Sequence, residues 1–214
     1  MGRRALRKID PGLDLSRHLK SFDEIASGPL VAEFSMRSRP LEIEVGSGKG
    51  LFLRSAAMAR PETDFLGIEI ADRYARYAAA GLAKSGLANA CVVSGDALRI
   101  FRELLPDRSL SAVHVYFPDP WWKARHRRRR VMNEAFVADI ERTLKPGGAL
   151  HFWTDVEEYF QTTLLLLAEK SQLAGPLPVP EKSPEHDLDY RTHFERRMRL
   201  HHEAVYRSEF RKAD

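Results

Sequence analysis

Residues 41–50 read LEIEVGSGKG, and this stretch decides the fold class of the chain. LEIEVG predicts a strand, and the glycines that follow interrupt it. The next segment, LFLRSAAMAR, has apolar residues at helical spacing and stops before Pro61. A strand, a glycine turn and a helix in succession predict the start of a βαβ unit.

The same alternation continues towards the C-terminus. Further strands are predicted at DFLGIEI, ACVVSGDA, SAVHVYFPDP and ALHFWTD. Helices are predicted from residue 72 to about 85, from the N-cap Asn133 through Leu144, and from 157 to 170. This order indicates an α/β fold, with a mostly parallel sheet and helices on both faces.

The chain divides at about residue 38. Residues 1–38 are polar and irregular, and we expect a basic, flexible extension with a short helix around Leu15 to Ile25. Residues 39–214 are expected to form one domain. Within it, a proline-rich and acidic stretch after Ala174 predicts an exposed connection, followed by a short helix and a final strand.

Candidate site residues fall at the ends of the predicted strands. They are Gly46, Glu69, Asp96, Asp119 and Asp155. In open parallel sheets, ligands bind beyond the carboxyl ends of the strands, so these residues are expected to line one cleft.

The glycine loop has three interpretations as a ligand site. A phosphate-binding P-loop needs Ser or Thr after its Gly-Lys, but Lys49 is followed by Gly50. A dinucleotide site needs GxGxxG, whereas the spacing here is GxGxG. That spacing is similar to the first motif of Rossmann-like methyltransferases. A purely structural turn is the remaining alternative.

Three acids, one before the glycine loop and two after it, stand in an order that suits a nucleoside cofactor carrying an amino acid. Glu69 ends the second strand, where a carboxylate can accept both hydroxyls of a ribose. Asp96 ends the third strand, where a carboxylate can hold an adenine amino group. Glu44 lies just before the glycine turn, near the expected position of a methionine ammonium. For each acid, a helix N-cap or a solvated loop is the structural alternative.

Residues 117–130 read FPDPWWKARHRRRR and carry the most specific signal of the chain. Asp119 lies between two prolines, which stiffen the backbone and can direct its side chain into the cleft. Two tryptophans and a run with six cations in eight residues follow. Aromatic rings beside cations suit an unstacked base and its phosphates. Alternatively, the tryptophans pack on the domain and the arginines are only solvated.

With these motifs, the sequence resembles the bacterial tRNA (guanine-N7-)-methyltransferases. The matching stretches run in the family's order over about three quarters of the chain, and they are EVGSGKG, GIEI, SGDA, FPDPWWKARHRRRR, WTDVEEY and THFERR. The family often has Pro after the first Trp and a second Lys after the first, where this chain has Trp122 and Ala124. The resemblance implies a Rossmann-like class I methyltransferase fold with seven strands.

The resemblance also implies roles for individual residues. Asp119 is the expected catalytic residue, and it also belongs to the cofactor site. The expected contacts to S-adenosylmethionine are Glu44, Gly46, Gly48, Gly50, Glu69, Asp96 and Asp119. The expected contacts to the target guanosine are Lys123, Asp155, Thr192, His193, Phe194 and Glu195. The expected contacts to the RNA backbone are Arg125, His126, Arg127, Arg128, Arg129 and Arg130.

Composition agrees with an RNA partner. The net charge is +4 and the sequence pI is near 9.3, with basic clusters near both ends as well as at residues 123–130. Cys91 is the only cysteine, which excludes an intrachain disulfide and fits a cytoplasmic protein. We expect tRNA as partner, no metal and no membrane, with monomer and homodimer both open. The alternatives are another S-adenosylmethionine-dependent RNA methyltransferase and a non-catalytic RNA-binding module on the same fold.

Overall fold

The computed structural model describes residues 6–27, 38–180 and 190–214. The strands are β1 (Leu19–Ser21), β2 (Leu41–Val45), β3 (Asp64–Glu69), β4 (Ala90–Ser94), β5 (Leu110–Tyr116), β6 (Leu144–Thr154), β7 (Ala174–Leu177) and β8 (Tyr206–Arg211). The helices are α1 (Phe22–Ser27), α2 (Leu51–Ala59), α3 (Asp72–Lys84), α4 (Ala97–Glu103), α5 (Glu134–Thr143), α6 (Glu157–Lys170) and α7 (His193–Leu200). A 3-10 helix spans Ala124–Arg129.

The strands form one sheet in the order β1-β4-β3-β2-β5-β6-β8-β7. The first six strands of this order are parallel to one another, and β8 runs antiparallel to both β6 and β7. The prediction of a mostly parallel sheet is therefore confirmed. Among the described residues the sheet has eight strands rather than the expected seven, because β1 adds an edge strand beside β4.

The prediction of a helix around Leu15 to Ile25 is wrong for its first part. Residues 19–21 pair with β4, and the helix α1 begins only at Phe22. A capping box sets that start: Glu24 N–H donates to Ser21 Oγ at 3.2 Å, and Ser21 N–H donates to Glu24 Oε2 at 2.7 Å. Part of the predicted extension thus belongs to the sheet.

The connection predicted after Ala174 begins with the exposed edge strand β7. Residues 181–189 of that connection lie outside the described residues. The short helix and final strand predicted beyond it are confirmed as α7 and β8.

Alternating residues of the strands bury opposite faces of the sheet. Leu66, Ile68 and Phe152 belong to the core under α4, α5 and α6. Phe65 and Trp153 belong to the core under α2 and α3. Helices on both faces leave the carboxyl edge of the parallel strands as the open side of the domain. No helix in the described ranges is long and apolar enough to cross a membrane.

Candidate active site

The glycine loop follows β2 directly and turns through three left-handed residues. Gly46, Gly48 and Gly50 have φ angles of 77°, 53° and 73°. A Cβ at Gly46 would meet nothing within 4 Å, whereas a Cβ at Gly50 would lie 2.7 Å from Ala78 Cβ. Gly50 therefore permits α2 to pack on α3, and the first part of the loop leaves room for a ligand to approach the backbone.

Glu69 connects the glycine loop to the end of β3. Its Oε2 accepts from Gly48 N–H at 2.8 Å, and its Oε1 accepts from Ala71 N–H at 2.9 Å. Each carboxylate oxygen retains a second lone pair, so Glu69 can still accept from a ligand hydroxyl. Ile70, which follows it, has a side chain that is 75% exposed. The sequence prediction missed this apolar surface beside the acid.

Glu44 is the most buried acid of the cleft. It is 2% exposed, and its Oε2 has no hydrogen-bond partner among the described residues. Burial raises the pKa of Glu44 well above its ordinary value, and the neighbouring Glu69 raises it further. A buried acceptor without a partner fits a ligand cation, which would satisfy the oxygen and favour the ionised carboxylate.

Asp96 is a helix N-cap, which was the structural alternative to a ligand contact. Its Oδ1 accepts from Leu98 N–H at 3.0 Å at the start of α4. The residue is exposed at the same edge as Glu69. The cap uses one oxygen, so the other remains accessible to a ligand.

Asp119 is exposed on a loop that is fixed at both ends. Phe117 and Trp121, on either side of the Pro-Asp-Pro segment, have left-handed φ angles of 49° and 46°. Phe117 N–H donates to Trp153 O at 2.8 Å, which ties the loop to β6. Arg130 Nε donates to Pro120 O, also at 2.8 Å. The loop therefore holds the Asp119 carboxylate at the carboxyl end of β5.

Arg130 has a different role from the one predicted. Only 8% of the residue is exposed, its Nη2 lies 2.6 Å from Glu158 Oε2, and its guanidinium lies over the Tyr159 ring. These contacts and the bond to Pro120 occupy the guanidinium inside the domain. This corrects the assignment of Arg130 to the RNA backbone: it supports the loop that carries Asp119.

The remaining residues of the basic run form the 3-10 helix and face solvent. Arg125, Arg127, Arg128 and Arg129 are exposed, as is Lys123 before them, and His126 is half-buried. The ring of Trp121 packs inside this segment, 5.9 Å from the His126 ring and 5.0 Å from the Arg129 guanidinium carbon. Trp122 is 68% exposed. Of the two tryptophans, only Trp122 offers an open face to a ligand.

Thr192 and Glu195 cap the start of α7. Thr192 Oγ1 accepts from Glu195 N–H at 2.9 Å, and Glu195 Oε2 accepts from Arg191 N–H at 2.6 Å. Glu195 is buried, with Arg199 and Arg207 each 3.6 Å from its Oε1. The T-x-x-E spacing in the sequence carried this signal, and the prediction of a guanosine contact overlooked it.

Helix α7 brings its residues over the ends of β5 and β6. The ring centroids of Phe194 and Phe117 are 4.9 Å apart, and His193 beside them is exposed. Asp155 follows β6 and is half-buried. Burial raises the pKa of Asp155, and the charge of Arg197 on α7 opposes that rise. Phe194 therefore lies beside the residue that precedes the Pro-Asp-Pro segment, and Arg197 lies close enough to Asp155 to affect its pKa.

A buried polar network lies beneath the cleft, and the sequence prediction did not anticipate it. Arg60 Nη2 donates to Glu42 Oε2 at 2.9 Å, His114 Nε2 lies 2.8 Å from the same oxygen, and Tyr116 OH lies 2.9 Å from His114 Nδ1. The His151 ring stacks on His114 at 4.8 Å. Polar residues at alternate positions of the strands, in LEIEV and VHVY, were the available signal.

Solved structures share this fold. A SAM-dependent O-methyltransferase from Thermotoga maritima aligns with a TM-score of 0.53 and 18% identity, over 93% of this chain and 68% of that chain. A 30S ribosomal A1408 methyltransferase from an uncultured bacterium aligns with a TM-score of 0.53 and 16% identity, over 86% of this chain and 92% of that one. The fold is that of the Rossmann-like class I methyltransferases.

Sequence relatives define the family. The tRNA (guanine-N(7)-)-methyltransferase of Rhodopirellula baltica is 48% identical, over 99% of this chain and 80% of that protein. The enzyme of the same name from Stutzerimonas stutzeri is 36% identical, over 95% of this chain and 82% of that protein. The family model described as "Putative methyltransferase" matches residues 38–208. The chain belongs to the tRNA (guanine-N(7)-)-methyltransferase family, which confirms the resemblance found in the sequence.

Proposed function

We propose that this protein transfers a methyl group from S-adenosylmethionine to N7 of a guanosine in the variable loop of tRNA. The observation that carries the proposal is the cleft itself. Acids follow the carboxyl ends of separate parallel strands there. Glu44 Oε2 is buried and has no partner in the part of the chain that the structure describes, and Asp119 lies on a fixed loop. From the proposed tRNA substrate we infer that the reaction takes place in the cytoplasm.

The cofactor would lie across the ends of β2, β3 and β4. Glu44 would accept from the methionine ammonium, Glu69 from the ribose hydroxyls and Asp96 from the adenine amino group. The open space at Gly46 and Gly48 supports close approach of the cofactor to the backbone. The exposed side chain of Ile70 would cover an apolar face of the adenine ring.

The target guanosine would lie against the ends of β5 and β6. Guanine presents an N1–H and a 2-amino group as donors, both of which adenine lacks, and Asp155 would accept from them. Glu195 contributes by fixing the start of α7, where His193 and Phe194 border the cleft. Lys123 would contact the nucleotide from the other side of the Pro-Asp-Pro loop.

The exposed cations of the 3-10 helix would hold the RNA backbone. Arg125, Arg127, Arg128 and Arg129, with His126, present charge beside Lys123 and the exposed ring of Trp122. This combination suits phosphates together with a splayed base. Guanine N7 faces a deep and narrow groove in duplex RNA, so a loop nucleotide is the accessible substrate.

The chemistry requires positioning rather than a base. When bound, S-adenosylmethionine supplies an electrophilic methyl group on its sulfonium sulfur. Guanine N7 carries an in-plane lone pair and no proton, so no residue has to remove one. Methylation leaves a positive charge on the base, and the carboxylate of Asp119 stabilises that charge while the loop fixes its position.

A methyl-transfer assay on unmodified tRNA, followed by nucleoside analysis of the product, tests the proposal. The expected product is 7-methylguanosine. A different methylated nucleoside would indicate another RNA methyltransferase. Absence of transfer, together with no calorimetric binding of S-adenosylhomocysteine, would indicate a non-catalytic RNA-binding module.

A further inference from the structure

Arg191 occupies the position where the two sides of the cleft meet. It precedes Thr192, the N-cap of α7, and its guanidinium carbon lies 5.8 Å from the ring centroid of Phe52 and 6.0 Å from that of Trp153. Phe52 lies in the first turn of α2, directly after the glycine loop, and Trp153 lies near the carboxyl end of β6. The guanidinium therefore spans the space between the glycine loop and the end of β6.

The Arg191 guanidinium has no carboxylate within 4 Å in the part of the chain that the structure describes. Glu195 accepts from the backbone N–H of Arg191, and its other oxygen lies 3.6 Å from Arg199 and from Arg207. A fork of five N–H donors at the mouth of a cleft is the group that suits a carboxylate ligand.

Two buried polar atoms of the same region also lack partners among the described residues. One is the donor Nε1 of Trp153, a residue that is 6% exposed, and the other is the acceptor Oε2 of Glu44. The Tyr116 ring lies between them in the sheet, with centroids 5.1 Å from Trp153 and 5.2 Å from Phe52. Burial raises the pKa of Tyr116, the charge of Arg191 opposes the rise, and Glu44 adds to it. Arg191 and Glu44 therefore both act electrostatically on the Tyr116 hydroxyl.

Building on the proposed function, we propose that Arg191 and Trp153 Nε1–H bind the carboxylate of the methionine portion of S-adenosylmethionine, while Glu44 binds its ammonium. The exposed Arg191 guanidinium and the buried Trp153 Nε1–H on one side, and the buried Glu44 Oε2 on the other, match the two ends of an amino-acid zwitterion, and neither buried atom has a partner among the described residues. Because Arg191 leads into Thr192–Glu195, this contact also couples the cofactor to the helix that borders the guanosine. Cofactor and tRNA then strengthen each other's binding by the same factor.

Calorimetric titration with two nucleosides tests the carboxylate contact on the full chain. S-adenosylhomocysteine carries the amino-acid end, whereas 5′-methylthioadenosine lacks it. Arg191→Ala is expected to weaken S-adenosylhomocysteine about 10- to 100-fold, the range for a lost charge-assisted hydrogen bond, and to leave 5′-methylthioadenosine unchanged. Trp153→Phe keeps an aromatic ring without the N–H, and it should weaken S-adenosylhomocysteine selectively by a smaller factor. Arg197→Ala, on the helix that follows Arg191, should leave the affinity for both nucleosides unchanged.

The outcomes separate this inference from the proposed function. Equal affinity of the wild type and Arg191→Ala for S-adenosylhomocysteine, or equal losses for both nucleosides, would overturn the inference alone. A wild type that binds neither nucleoside would overturn the proposed function. The coupling has its own readout: S-adenosylhomocysteine should raise the tRNA affinity of the wild type but not of Arg191→Ala. An equal rise in both would overturn the coupling.

Discussion

The two sides that we propose for the cleft differ: the cofactor side lies at the ends of β2, β3 and β4, and the RNA side lies at the ends of β5 and β6 with the 3-10 helix and α7. On the cofactor side, Glu44 and Glu69 lie within strands, and Asp96 follows its strand by two residues. On the RNA side, contacts of the loop with Arg130 and β6 position Asp119. The 192–195 segment is distant from Asp119 in the sequence. The positions of the acids on the cofactor side follow from the local sequence, whereas the positions of the residues on the RNA side depend on contacts between distant parts of the chain.

The largest expected effect is at Asp119. Asp119→Ala should lower the rate of methyl transfer by about 10²- to 10³-fold, because a fixed charge that stabilises the transition state is lost. Its melting temperature should match that of the wild type, since the side chain is exposed and its loop is held by backbone contacts. Single-turnover assays with labelled cofactor measure the rate, and full activity would remove Asp119 from its catalytic role.

The second effect separates a supporting arginine from its exposed neighbours. Arg130→Ala should lower the free energy of unfolding by about 2 kcal/mol, because Glu158 and Pro120 lose a buried charged donor. Arg128→Ala should change it by less than about 0.5 kcal/mol. Urea unfolding of the two variants measures the difference. If both variants matched the wild type, Arg130 would not support the loop.

The third effect concerns the acid sensitivity of the network beneath the cleft. Burial lowers the pKa of His151 to about 3 from an ordinary 6.5. His114 and Arg60 lower the pKa of Glu42 to about 2 against the opposing effect of burial, from an ordinary 4.5. In both cases the unfolded chain binds protons first as the pH falls. The free energy of unfolding therefore decreases below pH 6.5, where His151 of the unfolded chain takes up a proton. It decreases further below pH 4.5, where Glu42 of the unfolded chain does the same.

Each such proton contributes a slope of up to about 1.4 kcal/mol per pH unit. His151→Phe keeps an aromatic ring beside His114 and removes one titrating group, so its stability should fall less between pH 6.5 and 4.5. Urea unfolding at a series of pH values measures the slope. Parallel curves for the variant and the wild type would show that His151 is not held neutral.

The smallest effect belongs to single exposed arginines. Arg128→Ala should weaken tRNA binding modestly and reduce the slope of log affinity against log salt by about 0.7 to 0.9, the value for one lost phosphate contact. Binding titrations from low to moderate salt measure it. An unchanged slope would mean that Arg128 only faces solvent, and it would limit the RNA surface to other residues of the run.

Sequence patterns predicted much of the fold because strands, caps and glycine turns are local. Asn133 caps α5 as predicted, by accepting from Phe136 N–H, and α6 spans the predicted residues 157–170. The acids of the cofactor side were located by the same local logic. Arg130 could not be distinguished from its neighbours, because its partner Glu158 lies on a helix 28 residues away.

The sequence prediction missed further structural features for other reasons. The capping box at Ser21–Glu24 and the cap formed by Thr192 and Glu195 were visible in the sequence as S/T-x-x-E spacings but were overlooked. The Glu42–His114 pair depends on the register of β2 against β5, which is a property of the assembled sheet. On the RNA side the structure therefore changes the expected roles of Arg130 and Glu195, and the other assignments stay predictions.

A comparison of two tRNA substrates tests the central claim most directly. One carries guanosine at the target position of the variable loop, and the other carries 7-deazaguanosine, in which a carbon replaces N7. Methyl incorporation should occur in the first tRNA, as 7-methylguanosine, and should be absent from that position in the second. Equal incorporation in both tRNAs would contradict transfer to N7.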